Sequence, residues 1–417
     1  MSKILLLAIN GNEDNRSTLY DQNLYEFKSR SRLWNTPNLG LLTIGAFLSR
    51  QYIVDYLDLN YENIQNIDYD IVFMSPTTSQ ALKAYQLSCE FRKNGTKVIM
   101  GGPHVSMLPK EALQFSDGVF IGEAEDTLED FINGRCRAIY QCDRRPDLYK
   151  SPIPLYELTT QYPYSSIPVQ ISRGCPHQCE FCLSSTIYGK SIRRKSVEQV
   201  KNELIKIKSL YQNPFIFFTD DNFFINENYS MLILDIIESL KLNWYAFTDI
   251  SVYKKEKILK RLYKCGCRKL LIGFESLNVD NLNQINRSGF KSSKIKEYKR
   301  AIQTIQMEKI GVVGSFVLGL ENDTEKTFDD LYEFILDTCL YGTNITIATP
   351  FPGTKLFQKS YQEHKIDLNW SLYDGFSLVK EIPNISKENF MINYKKLISK
   401  VNSMERIENV IKFFKEK

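Results

Sequence analysis

The segment VQISRGCPHQCEFCLSS, residues 169–185, carries three of the chain's nine cysteines, Cys175, Cys179 and Cys182, as C-x-x-x-C-x-x-C directly after a short β-rich run. That spacing lets three thiolates converge from one loop, and soft thiolates select iron–sulfur clusters or zinc. A four-iron cluster and a closed zinc site each want four ligands, yet the nearest other cysteine, Cys142, lies 33 residues before Cys175 in a different stretch of the fold. One metal position is therefore left open, as in a catalytic centre. A zinc knuckle, or three incidental core cysteines, are the structural alternatives. His177 is available as a fourth ligand, although inside the loop it is expected to face solvent or a partner.

Around this loop strands alternate with helices. Downstream, VQIS, FIFFTDD, WYAFTDI, KLLIGFES, GVVGSFVLG and NITIATP are separated by helical text near 196–211, 229–240, 254–265, 292–307 and 325–340. Six β/α steps predict a partial barrel over 169–355 with function at the C-terminal strand ends. Upstream, strands at Lys3–Ala8, Ile53–Asp58, Ile71–Met74, Lys97–Met100 and 119–121 alternate with helices near 40–50, 80–93 and 110–115. The pattern predicts an α/β chain whose first unit, 1–145, is a doubly wound, Rossmann-like parallel sheet. Residues 146–168 are rich in proline and tyrosine with no sustained period, and read as a linker. The extension 356–417 holds an irregular stretch with Trp370, Tyr373 and Asp374, then amphipathic helical text from about Lys387, expected to pack on the barrel.

Lys and Arg number 53 against 49 Asp and Glu, a formal net charge of +4 with no long block of either sign, so no nucleic-acid partner is expected. The opening MSKILLLAINGNEDN has too short an apolar run for a signal peptide or a membrane span. With nine irregularly scattered cysteines this suggests a cytoplasmic chain with reduced thiols.

The cysteine spacing, Phe181 just before the third cysteine and the six following β/α steps resemble the radical S-adenosylmethionine (SAM) superfamily over most of the chain. The resemblance implies a [4Fe–4S] cluster on Cys175, Cys179 and Cys182, with Phe181 beside it. It also implies that the open iron chelates the amino and carboxylate groups of SAM. An external one-electron reductant of flavodoxin or ferredoxin type then drives cleavage to a deoxyadenosyl radical. Asp220, Asp221 and Asn222 end the second strand, where family members place polar groups for the methionine amino group, more often as Gly-Gly-Glu; a plain strand-end turn is the alternative. Glu275 and Ser276 end the fourth strand, positioned for ribose or the methionine carboxylate. Gly314 and Gly319 are expected to let backbone approach the adenine side, and Asn322 to Thr324 either cap a helix or touch ligand. ATPFPGTKLF, with Pro350, Pro352 and Gly353, resembles the sixth-strand signature seen when a cobalamin-type domain precedes the barrel.

The order PNLGLLTIGAFLSR, VDYLDLN, SPTTS, VIMGGPHVSMLPKEAL, VFIGEAEDTL is similar to the cobalamin-binding domain of one large branch of that superfamily. A corrin with its nucleotide tail binds across the C-terminal ends of such a sheet. The resemblance points to Ser75, Thr77 and Thr78 after the third strand, Gly101 and Gly102 after the fourth, and Gly122 and Glu123 after the fifth. The D-x-H-x-x-G signature is absent: the first loop reads NGNEDN and His104 lies elsewhere, so cobalamin is expected without a histidine on cobalt. A domain that keeps the fold and holds no cobalamin is the alternative. The implied activity is cobalamin-dependent radical methylation of an unactivated carbon, or phosphorus, in a small-molecule substrate. Oxidation, ring contraction or cyclisation is the second reading, and a non-catalytic cobalamin or iron–sulfur sensor the third. Substrate contacts are expected at the barrel mouth and around Trp370 to Asp374.

Overall fold

The computed structural model describes residues 2–11, 35–65 and 68–416. Most of the NGNEDN loop, from residue 12, lies outside them. The first sheet contains β1 (Lys3–Ala8), β2 (Ile53–Asp58), β3 (Ile71–Met74), β4 (Lys97–Met100), β5 (Gly118–Ile121) and β6 (Ile139–Gln141), all parallel, in the order β2-β1-β3-β4-β5-β6. β1 is apolar throughout because both its faces are covered: Ile4 and Leu6 point into one core, Leu5 and Leu7 into the other. The strand order turns at β1 and β3, so the loops leaving their C-terminal ends diverge and open a crevice. β6 is an addition to the five expected strands. It is a three-residue edge strand, too short for its alternation to register in the sequence.

The second sheet starts with β7 (Ile167–Val169). A short antiparallel ribbon, β8 (Ser172–Arg173) with β9 (Arg193–Arg194), follows. Then come β10 (Phe215–Phe218), β11 (Asn243–Thr248), β12 (Cys267–Glu275), β13 (Gly311–Leu318) and β14 (Gly342–Ile347). The six long-sheet strands are parallel and adjacent in chain order, β14-β13-β12-β11-β10-β7, giving an open (β/α)6 barrel. Helices Val197–Leu210, Glu227–Leu240, Tyr298–Met307 and Glu325–Asp337 bury a 3.6-period stripe against its outer face. Inside, Phe217, Tyr245, Leu271 and Val313 fill one layer, with Phe217 stacked on Tyr245 at 4.5 Å. The lower barrel is thus solid, and chemistry is confined to the C-terminal mouth.

The 146–168 stretch is a packed strap. Tyr156 is fully buried, its hydroxyl donating to Pro168 O at 2.9 Å and Glu203 Oε1 at 2.7 Å, and Tyr164 reaches from the strap to Asp58 of the first sheet. Tyr156, Tyr162 and Tyr164 lie across apolar seams with their hydroxyls bonded, while Tyr149 faces outward, so the text lacks a period and most of it is nonetheless packed. Helix Lys387–Val401 packs Phe390, Tyr394, Leu397 and Ile398 on the barrel, Phe390 meeting Phe328 at 5.3 Å. Among the described residues no helix is long and apolar enough to cross a membrane.

Candidate active site

The β8–β9 ribbon is the root of the cysteine loop. Gly174, at φ +110°, lies so close to the Ser191 carbonyl that any Cβ would strike backbone, and Cys175 N–H donates to Gly189 O at 3.0 Å. The loop is pinned at its far side by Glu180 N–H to Ile285 O (2.9 Å), Leu356 N–H to Glu180 O (3.0 Å) and the Arg287–Glu180 ion pair (2.9 Å). The three thiols are half-buried and free of disulfides. Asn286 Nδ2 donates to Cys179 Sγ at 3.6 Å, and Ser184 N–H to Cys182 Sγ at 3.5 Å. Burial raises all three thiol pKa values, that of Cys175 to about 12, so the bare loop holds neutral thiols and a cation must displace their protons. Among the described residues no three His, Cys, Asp or Glu side chains close on a single ion position.

The strand ends around the loop divide into free and committed groups. Asp220 is fully enclosed and is corrected from a ligand contact to a scaffold group. Its carboxylate accepts from Ile171 N–H (3.2 Å), Ser172 N–H (2.5 Å) and Ser172 Oγ (2.5 Å), holding the strand that enters the cysteine loop. Asp221 stays half-exposed, accepting from Ser184 Oγ at 2.6 Å beside Cys182. Asn222 donates to Asp249 at 2.6 Å. Glu275 pairs with Lys291 Nζ at 2.7 Å, and Lys291 also donates to Gly273 O at 3.1 Å. Ser276 is buried and accepts from Asn278 N–H at 3.1 Å, closing a turn. Phe181 packs against a cluster formed by Leu282 of the helix Val279–Ile285 and by Val317, Leu320 and Ala348 at the ends of β13 and β14. Gly319 N–H donates to the buried Asp323 at 2.7 Å, which also accepts from Leu320 N–H and Asn281. Two further expectations are corrected. Gly314 makes room for Phe316 and Leu340 on the helix side and faces no ligand, and His177 stacks on Phe290 at 4.7 Å. Lys291 and Asn286 carry no signal in the sequence because only folding brings them to the cysteines, whereas Ser184 lies two residues after Cys182 and its role depends on the turn the loop makes.

A cavity of about 470 Å³ opens between the C-terminal ends of the two sheets. Ser75, Thr77, Gly101, Gly102, Gly122 and Glu123 line it from the first sheet, Gln170, Arg173 and Tyr188 from the second. Gly102 has φ +89°, and a Cβ there would lie 2.5 Å from Ser75 Oγ, so only glycine lets the β3 and β4 turns meet under the cavity floor. Thr78 is corrected: it is buried and starts a helical turn outside the lining. Glu123 is corrected in part, because it borders the cavity while its carboxylate is held by Arg173 at 2.7 Å and Arg193 at 2.6 Å. His104 is buried below the floor, bonded to Tyr85 at 3.0 Å and Glu111 at 3.3 Å, and no histidine lines the cavity. Trp370, Tyr373 and Asp374 are also corrected. Trp370 Nε1 donates to Glu111 at 3.1 Å, Tyr373 is buried with its hydroxyl on Asp367 O (2.7 Å), and Asp374 caps a turn through Phe376 N–H (2.8 Å). They dock the extension; none borders the cavity.

The profile described as Radical SAM superfamily matches residues 169–335, and that of the B12 binding domain matches residues 31–132. The chain therefore carries a B12-binding domain followed by a radical SAM domain. The bacteriochlorophyllide d C-12(1)-methyltransferase of Chlorobaculum tepidum is 27% identical over 86% of this chain and 81% of its own length. The C-8(2)-methyltransferase of the same organism is 28% identical over 87% and 84%. Among solved structures, the cobalamin-dependent SAM radical enzyme OxsB with aqua-cobalamin and SAM bound superposes with a TM-score of 0.69 at 15% identity, over 100% of this chain and 71% of that one, a likeness of fold.

A radical SAM enzyme with a B12-binding domain implies a [4Fe–4S] cluster, SAM and cobalamin, and the side chains present fit them. Three free thiols sit on one pinned loop, a broad cavity floored by glycine turns opens beside it, and Asp221 and Lys291 near the loop are partly exposed. ATPFPGT likewise has a place here: Gly353 presses on Met107 of the first unit and lies near Leu183 after the cysteine loop.

Proposed function

We propose that this enzyme methylates an unactivated carbon of a small-molecule substrate. When bound, the cluster and SAM supply a deoxyadenosyl radical and the corrinoid supplies the methyl group. The observation that carries the reading is the shared wall: Arg173, two residues before Cys175, lines the cavity whose other wall is Ser75, Gly102 and Gly122. Cys175, Cys179 and Cys182 hold the cluster. Asn286 and Ser184 direct N–H groups at the sulfurs of Cys179 and Cys182, stabilising their thiolate form. Lys291, held by Glu275, supplies positive charge beside them for the carboxylate of SAM, and Asp221 supplies negative charge for its amino group. Ser75, Thr77, Gly101, Gly102 and Gly122 receive the corrinoid. The electron comes from an external flavodoxin- or ferredoxin-type donor, in a cytoplasmic setting. Two relatives are named for methylating bacteriochlorophyllide d, which makes that compound the first substrate to try.

The test is anaerobic turnover with S-(methyl-d3)-adenosylmethionine, hydroxocobalamin and a strong reductant. Deoxyadenosine and a product carrying the labelled methyl are expected. Deoxyadenosine with an unlabelled, oxidised or cyclised product overturns methylation in favour of the second reading. Cys175→Ala, Cys179→Ala and Cys182→Ala should each abolish deoxyadenosine formation, and full activity in any of them removes the cluster assignment.

A further inference from the structure

The turn after β5 meets both halves of the site. Gly122 opens onto the cavity: a Cβ built there would meet no heavy atom within 4 Å. Its neighbour Glu123, with a side chain 3% exposed, is gripped by two arginines that face each other across the β8–β9 ribbon, with Arg145 a third, looser partner at 3.7 Å. Arg193 Nη2 and Nη1 donate to its two oxygens at 2.6 and 3.1 Å. Arg173 Nη1 donates to Glu123 at 2.7 Å and to Glu125 at 2.5 Å. Arg173 is 12% exposed, Arg193 19% and Glu125 10%.

Charges this enclosed are stable only when paired, and a bidentate guanidinium–carboxylate pair fixes direction as well as distance. The ribbon they grip is stiff. Gly174 is pressed on the Ser191 carbonyl and Cys175 N–H is bonded to Gly189 O, so a shift of Glu123 is handed to the first thiol with little slack. Other joints already hold the two units together: Tyr164 on Asp58, Gly353 against Met107, and Trp370 on Glu111. The ion cluster therefore does something besides docking.

We propose that Glu123, assisted by Glu125, is a positioning residue that couples corrinoid occupancy of the cavity to the geometry of the cysteine loop through Arg173 and Arg193. The proposal rests on the corrinoid and cluster assignments above. Coupling of this kind is reciprocal: a loaded cluster tightens corrinoid binding, and bound corrinoid alters the cluster.

Hydroxocobalamin titration of the full chain, with and without reconstituted cluster, measures it. The native chain should bind about fivefold or more tightly when the cluster is present, the lower end of measured couplings. Corrinoid should also shift the EPR signature of the reduced cluster. Glu123→Gln keeps the shape and removes the charge. It should reconstitute iron and sulfide normally yet show equal affinities in the two states and an EPR signal indifferent to corrinoid, while Glu123→Asp restores part of the coupling. Where Glu123→Gln fails to take up iron, Glu125→Gln, which leaves the Arg193 pair intact, is read in the same way. Coupling retained in the variant that loads, or absent from a native chain that binds both groups, overturns the inference alone. A native chain that binds no corrinoid or no cluster overturns the functional reading instead.

Discussion

Asp220 and Asp221 are adjacent at the end of β10 and have opposite surroundings. Asp220 is enclosed and accepts from three donors, two of them backbone N–H groups. Asp220→Ala strands those donors at about 1–3 kcal/mol each, and should lower urea stability by roughly 3 kcal/mol and reduce iron uptake. Burial pushes its carboxyl up to about 7, above the ordinary carboxylate range. A raised carboxyl contributes stability in full below about pH 4 and loses it as pH rises through about 7. The stability advantage of the native chain over Asp220→Asn, which does not titrate, is therefore expected to be greater near pH 5 than near pH 8. Asp221 has one side-chain partner, Ser184, beside Cys182. Asp221→Asn should leave stability within about 1 kcal/mol and raise the KM for SAM.

At the scale of elements, two turns with positive φ separate tight backbone approach from open space. At Gly174 a Cβ meets the Ser191 carbonyl, a backbone atom that cannot rotate aside, whereas at Gly122 it meets nothing within 4 Å. Gly174→Ala is thus expected to lose most of its iron in reconstitution. Gly122→Ala carries only the φ penalty, roughly 1–2 kcal/mol, and should still load iron. Equal iron contents in the two variants would show that the ribbon yields more readily than its packing indicates. The β/α alternation that produces these turns was plain in the sequence, because strands covered on both faces read as apolar runs. The ribbon was not legible. Two residues per strand give no period, and its pairing depends on Gly174 and Gly189 closing a loop of irregular text.

For the whole molecule, the extension closes a ring by returning Trp370 to the first unit, where its indole N–H meets Glu111, which also bonds Tyr85 and His104. Trp370→Phe keeps most of the packing and removes a hydrogen bond to a charged group, so about 1.5–3 kcal/mol should be lost in urea unfolding. Cleavage by trypsin after Lys365 should accelerate, since that step follows opening of the extension. His104→Ala should likewise destabilise the chain without altering the absorbance of bound corrinoid, because the buried ring lies outside the cavity.

The sequence by itself determined the order of the longer strands and helices, the placement of the three thiols on one loop, and the absence of a histidine signature for cobalt. All of these are carried by residues close together in the chain, where period and spacing are visible. Only the tertiary structure decided that Asp220 is scaffold while Asp221 stays partly exposed, that Glu123 clasps the ribbon beside the cavity, that Thr78, Gly314, His177 and Trp370 are packing, and that Lys291 and Asn286 stand beside the cysteines. Each of those outcomes depends on which distant group faces a side chain and how much water is left between them, and neither is written in local text. The three cysteines were legible because one loop carries them; most of the shell that holds and tunes them was not, because segments far apart in the chain build it.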